Sequence, residues 1–315
     1  MYLPLWHSGQ VLSHLRALLT HVSAPVLIVG GALSAYSGAA FAVTIFSALE
    51  PGVIAWLRVF IAGIFLCALR RPWRAGLTWR DLLESALFGL SLLAMNVAFY
   101  ESIDYLPMGA AVSMEFIGPV VVAVVRGRGI GPRIAAVLAM AGVVAIGGLG
   151  LDLSDPRVFS GMKWAFFTAL AWALYILLGQ RVASKRSGVT NLAVGCALSG
   201  LIVAPFVLHQ AFPAITQPRI LGIIIVVAVL STVVPCSFEA IAMHRVSAAD
   251  FSLFTALSPA SSLLVGVIIL RQIPTLWQMI GLLLISFAVA IASRHGTKDH
   301  AVLAEEVHEM VELAP

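Results

Sequence analysis

Apolar residues run almost unbroken for about twenty positions at a time, ten times over, and a helix is the form that satisfies its own backbone along such a run in lipid. The segments fall at roughly 25–46, 51–70, 81–102, 108–126, 131–151, 161–180, 190–209, 220–243, 250–270 and 275–293. Short turns carrying charges, Pro and Gly divide them and leave no room for an inserted soluble domain. Only 11% of the 315 residues are charged and mean hydropathy is +1.00, whereas about a quarter of a soluble domain is charged. A β-barrel would need alternating strands of about ten residues with polar inward faces. These runs are continuous and rich in Leu, Ala, Val and Ile, so the expectation is an all-α integral membrane protein with ten transmembrane helices.

Orientation follows from where Lys and Arg fall, because cytoplasmic loops carry an excess of them. With the N-terminus inside, the inner side holds Arg16, Arg70, Arg71, Arg74, Arg80, Arg126, Arg128, Arg133, Arg181, Lys185, Arg186, Arg245, Arg294 and Lys298. The outer side holds only Arg157, Lys163, Arg219 and Arg271. Both termini are therefore expected in the cytoplasm. Residues 1–24 lack the basic start and small-residue cleavage site of a secretory signal and read as an N-terminal cytoplasmic tail. Residues 294–315 form the C-terminal tail; from Gly296 they include an amphipathic pattern beside Glu305, Glu306, Glu309 and Glu312, whose acidity argues against anchoring on an anionic leaflet.

The chain also repeats itself. Ser102, Ile103, Leu106, Gly109 and Pro119 recur 140 residues later as Ala242, Met243, Val246, Ala249 and Pro259. The repeats are placed at 25–151 and 161–293. Five spans in each half is an odd number, so the second repeat would insert upside down. Inverted repeats of this kind are typical of secondary transporters, with a site near the midplane where the halves meet. Glu115 has no acidic partner in the second copy, so one half carries a charge the other lacks.

Charged residues inside spans mark the candidate site. Arg58 lies seven residues into the second span and Glu115 seven into the fourth, each about 10 Å below the outer surface at 1.5 Å per residue. A central Arg costs roughly 2.5–3.5 kcal/mol on insertion scales, so it faces a partner or a wet cavity, or snorkels outward. Pro119, one turn below Glu115, removes a helical hydrogen bond and frees a carbonyl, and Pro235 and Pro259 are further kink candidates. Asn96 is expected in a polar network, and Tyr36, Trp172 and Tyr175 are cavity candidates with packing as the competing role. Glu239, four residues from the inner edge of its span, reads either as part of a solvated mouth or as an inner-gate residue. Glu84 and Glu101 sit near span ends, within reach of water.

Other chemistries find little support. Cys67, Cys196 and Cys236 fall inside spans as small packing residues, and the eight His residues show no HxxxH or HExxH spacing. No cofactor is implied. The RGRGIGPR stretch follows no strand and lacks a Walker lysine, which leaves a tight turn. No basic run interleaved with aromatics suggests nucleic acid. An enzyme reading lacks a GxSxG elbow or paired carboxylates outside the membrane, and a receptor reading lacks a signalling domain.

The ten spans in two halves, with MNVAFYESIDYLPMGAAVSMEFIGP and ALAWALYILLGQRV, resemble the EamA branch of the drug/metabolite transporter superfamily, most of all the threonine/homoserine exporters of bacterial inner membranes. The likeness covers residues 25–293 and rests on Arg58 in WLRVF, Glu115 in MEFIGP, Gln180 with Arg181 in LLGQR, and Glu239 in PCSFEAIA. It implies an inner-membrane secondary exporter of small amino acids or related metabolites, working by alternating access. The partners implied are a small-molecule substrate, the lipid bilayer and, if coupled, protons. Arg58 would meet a substrate carboxylate and Glu115 its ammonium. Glu115 could also take up a proton when the substrate leaves, since desolvation disfavours a charged carboxylate. Efflux of hydrophobic or cationic drugs is the alternative on the same architecture, with Trp172, Tyr175 and Glu115 as an aromatic and acidic pocket; Arg58 speaks against it.

Overall fold

The computed structural model describes residues 22–74, 76–126, 130–147, 154–183, 188–269 and, apart from 278, 282 and 285, 276–288. The residues described are helical, with no strand among them. The helices are α1 (Ala24–Val43), α2 (Pro51–Arg70), α3 (Trp79–Tyr105), α4 (Met108–Glu115), α5 (Ile117–Arg126), α6 (Gly131–Gly147) and α7 (Pro156–Ala183). They continue with α8 (Gly188–Val207), α9 (Phe212–Thr216), α10 (Pro218–Ala228), α11 (Val234–Met243), α12 (Ala248–Phe254), α13 (Ser258–Ile268) and a short apolar helix α14 (Met279–Ala288). Among the described residues six helices are long and apolar enough to cross a membrane: α1, α2, α3, α7, α8 and the α10–α11 unit. The proposed fourth, fifth, ninth and tenth spans coincide with shorter helical pieces. The N-terminal tail up to residue 21, residues 127–129 of the RGRGIGPR turn and the acidic C-terminal segment lie outside the described residues.

Local chemistry sets the helix starts. Proline stands in the first turn of α1, α2 and α10, where its missing N–H would have had no helical partner. Thr78 and Asp81 form a capping box at the start of α3: the Asp81 N–H donates to Thr78 Oγ1 at 3.3 Å and the Thr78 N–H to Asp81 Oδ2 at 2.9 Å. At the other end of α3, Glu101 accepts a hydrogen bond of 3.0 Å from the Gly52 N–H, which sets a carboxylate against the positive end of α2.

Two of the proposed spans are broken, and the breaks correspond. The fourth is interrupted by a turn at Phe116 between α4 and α5. Pro119 follows, so no amide is available there for the Glu115 carbonyl. The ninth is interrupted by a 3-10 turn at Thr255–Leu257, and Pro259 stands in the first turn of α13. Adding 140 to the limits of α4 gives 248 and 255, one residue beyond the end of α12. The eighth span carries a π-turn at Val229–Val233 just before Pro235, which stands in the first turn of α11.

The core is built by α3 against α7, α2 against α8, α3 against α8, and α1 against α11, with α5 on α7 and α13 on α1 closing the sides. Trp56, almost fully buried, donates its indole N–H to the Gly200 carbonyl at 2.9 Å and so ties α2 to α8. Outward-facing Phe65, Leu87, Phe167 and Leu283 are exposed, as suits a surface bathed in lipid. The α3–α8 crossing is so close that a Cβ on Gly89 would overlap the Gly195 carbonyl, and one on Gly195 would meet the Ser85 carbonyl at 2.5 Å. Small residues permit this approach between membrane helices. Gly89→Val should therefore lower the thermal stability of the detergent-purified protein by about 1–3 kcal/mol. Gly222→Ala, where a Cβ meets nothing within 4 Å, should stay within about 0.5 kcal/mol of the parent.

Candidate substrate cavity

Helices α1, α2, α3, α4, α7, α11 and α13 surround one cavity whose wall carries polar and charged side chains. Its wall takes Ala32, Ala35 and Tyr36 from α1, Arg58 from α2, Met95, Asn96 and Phe99 from α3, Glu115 from α4 and Trp172 from α7. Ser231 of the π-turn, Pro235, Cys236 and Glu239 of α11 and Ser258 of α13 complete it. The space open to water centres is about 70 Å³, several times the roughly 10–15 Å³ that one water needs. It is therefore large enough to be wet and to admit a small solute in place of its waters.

Arg58 is the cation of the cavity. Only 3% of it is exposed, which excludes snorkelling to the outer surface. Its Nη1 donates to the Tyr100 hydroxyl at 2.8 Å, and the guanidinium carbon lies 4.3 Å from the centre of the same ring, a cation–π arrangement. Its Nε has no hydrogen-bond partner among the described residues. Arg58 and Glu115 line the same cavity, but no ion pair joins them among the described residues. Equal depth would allow the two charges to clamp their helices together; in the structure Arg58 bonds Tyr100 instead. Glu115 is 6% exposed and lies beside the Tyr36 hydroxyl, which in turn neighbours Ser258.

Counting residues from the end of its helix leaves Glu239 as part of a solvated mouth or as an inner-gate residue. In the structure it lines the cavity with Arg58 and Glu115, and its Oε2 accepts a hydrogen bond of 3.0 Å from the Tyr175 hydroxyl. A count along one helix gives depth below an edge and says nothing about how far a cavity reaches along that helix. Tyr175 is fully buried and stacked on Phe88, with ring centres 4.9 Å apart. It sits behind the wall, while Trp172, three residues earlier, is on it and edge-on to Phe116. Asn96 reaches the cavity but donates its amide back to the Leu92 carbonyl at 2.7 Å rather than to a partner on another helix.

The prolines act through the backbone. Pro235 offers no N–H to the Leu230 carbonyl five residues back in the π-turn; Ser34 of α1 donates to that carbonyl instead, at 2.7 Å. Ser231 returns the contact by donating to the Ala35 carbonyl at 2.9 Å. Membrane helices tolerate proline where a neighbouring side chain supplies the missing partner in this way. Pro119 and Pro259 flank the breaks that carry Glu115 and Ser258 to the cavity.

Residue-level reading missed Tyr100, Phe99, Met95, Ser231, Cys236 and Ser258, all of ordinary types for a packed membrane helix. The repeat held a usable signal, because the 140-residue offset relates Ala32 to Trp172, Met95 to Pro235, Asn96 to Cys236 and Phe99 to Glu239, and all eight line the cavity. Among the described residues no group of three or more His, Cys, Asp or Glu side chains is arranged to hold a metal ion.

A family model described as the EamA-like transporter family matches residues 159–294. A protein named threonine/homoserine exporter RhtA from Salmonella typhimurium strain SL1344 is 36% identical over 275 residues, covering 87% of this chain and 90% of that protein. RhtA of Escherichia coli K12 is 33% identical over 258 residues, with 82% and 86% covered. A solved crystal structure of a protein only 18% identical superposes with a TM-score of 0.64 over 87% of this chain and 98% of that one, a likeness of fold. An all-helical membrane chain with a buried, charge-lined cavity and relatives this close over most of its length belongs to the EamA-like transporter family.

Proposed function

We propose that the protein is a secondary exporter of small amino acids or related metabolites in the bacterial inner membrane, with threonine and homoserine as the first substrates to test. The observation that carries this reading is Arg58, a nearly fully buried guanidinium on the wall of a small cavity, whose hydrogen-bonding capacity is met only in part among the described residues. A cation held this way in a cavity suits an incoming carboxylate, whose geometry arginine matches. Glu115, with Tyr36 and Ser258 beside it, offers negative charge and oxygen acceptors for the ammonium. A zwitterion spanning Arg58 and Glu115 leaves a short side chain to face Trp172, Phe99 and Met95. The RhtA relatives carry threonine and homoserine in their names, which agrees in size and charge with such a ligand.

The transport cycle follows from a two-repeat architecture of ten spans inverted in the membrane, with both termini cytoplasmic. In its support, the contacts of one half reappear in the other under the 140-residue offset. The α3–α7 packing corresponds to that of α10–α11 on α1, α5 on α7 corresponds to α13 on α1, and α4 on α13 to α12 on α5. Four residue pairs related by the same offset meet at the cavity, where a pseudo-two-fold axis would pass. Rocking one half against the other would expose the site to each side in turn.

In proteoliposome counterflow with labelled threonine or homoserine, Arg58→Ala should weaken apparent affinity by about tenfold to 150-fold, the range of a charged hydrogen bond. Tyr100→Phe, which keeps the ring under the guanidinium, should cost only about fivefold. An Arg58→Ala protein that folds and transports like the parent would contradict the carboxylate role. Glu115→Gln should depress counterflow with and without a pH gradient, and normal transport in both conditions would remove Glu115 from binding and from coupling.

A further inference from the structure

The cavity contains more acid than the zwitterion requires. Arg58 is its one cationic side chain among the described lining residues, whereas both Glu115 and Glu239 line it. Arg58 balances a bound carboxylate and Glu115 a bound ammonium, which leaves Glu239 without a charge to meet. Glu239 is also the carboxylate of the cavity contributed by the second half, while Arg58 and Glu115 both come from the first. Its counterpart under the 140-residue offset is Phe99, so the acid is a departure from the repeat.

The surroundings of Glu239 suit a group that is at times neutral. Its fixed partner is the Tyr175 hydroxyl, an uncharged donor held by full burial and by stacking on Phe88. The titratable and charged groups facing it are Tyr36 from α1, Tyr175 from α7, Cys236 one turn earlier on α11, and Arg58 and Glu115 on the same cavity wall. On α12, Asp250 is engaged with Ser247 at the helix start. A tyrosine donor tolerates both forms of the carboxyl, because it bonds one oxygen and leaves the other free to gain or lose a proton.

Resting on the amino-acid reading above, we propose that Glu239, positioned by Tyr175, is the proton-carrying group that couples export to proton entry, and that it acts separately from the Arg58–Glu115 substrate pair. With the cavity open outward and substrate gone, the Glu239 carboxylate takes a proton from outside water. When the cavity opens inward, that proton passes to cytoplasmic water as the next substrate binds. One proton enters and one zwitterion leaves in each cycle. Because the substrate pair and the proton carrier belong to opposite halves, rocking changes their separation, and that links the two occupancies.

The test uses the full-length protein in proteoliposomes containing a pH-sensitive dye, with labelled threonine and an imposed gradient of one pH unit. One coupled proton can drive roughly tenfold accumulation per pH unit. The parent should approach that ratio, with proton flux triggered by substrate. Glu239→Gln should lose both the accumulation and the proton flux while counterflow stays measurable, and Glu115→Gln should lose counterflow as well. Tyr175→Phe should retain counterflow and shift the pH at which accumulation is half-maximal. The inference is overturned if Glu239→Gln keeps its accumulation and proton flux, if it loses counterflow together with coupling, if Tyr175→Phe leaves the pH midpoint unmoved, or if the parent transports without moving protons. A parent with no amino-acid counterflow overturns the underlying functional reading too, and this sets the two failures apart.

Discussion

A guanidinium buried in an apolar helical bundle is the interaction on which the rest of the cavity depends. Placing Arg58 there costs a few kcal/mol on insertion scales, and the fold offsets that cost incompletely. Tyr100 takes one nitrogen and lends the face of its ring; Nε finds no partner among the described residues. A purely structural arginine would be expected to pair with the nearest acid, yet no ion pair to Glu115 forms. Holding both charges in one cavity without joining them is the arrangement on which the proposed zwitterion binding rests.

The backbone around this arrangement is irregular where the cavity needs it to be. The break at Phe116 and the 3-10 turn at Thr255–Leu257 end α4 and α12 at corresponding points, and the pieces bearing Glu115 and Ser258 meet the same space. The π-turn at Val229–Val233 occurs in one half alone among the described residues, and Ser34 and Ser231 compensate for it across the α1 interface. Charge on the described cavity wall is confined to Arg58, Glu115 and Glu239, whose counterparts under the 140-residue offset are Leu198, Thr255 and Phe99.

Much of this was legible in the sequence, for reasons that also mark where legibility ends. Arg58 and Glu115 stood out because a charge in an apolar run is costly wherever it lies, and Pro119 because a missing N–H has a fixed local consequence. Tyr100, Ser231 and Ser258 did not, since a serine or tyrosine in a span is ordinary until its neighbours are known. Tyr175, read as lining a cavity or as packing, stands behind the wall, stacked on Phe88 and bonded to Glu239. For Glu239 a count along one helix gives depth alone, and its place beside Arg58 and Glu115 on one cavity wall depends on several helices. The π-turn left no mark in VLSTV, which reads as an unbroken continuation of its span; the proline after it was the one visible cue.

The central claim is that Arg58 grips a substrate carboxylate, and calorimetric binding to the purified protein tests it most directly. Threonine and threoninamide, which differ in that carboxylate, would each be titrated into the parent and into Arg58→Ala. The account predicts that the parent prefers the acid by at least about tenfold, the scale of a charged hydrogen bond, and that the preference vanishes in the variant, leaving a coupling energy for the pair. Equal binding of acid and amide by the parent, or an undiminished preference in Arg58→Ala, would contradict it.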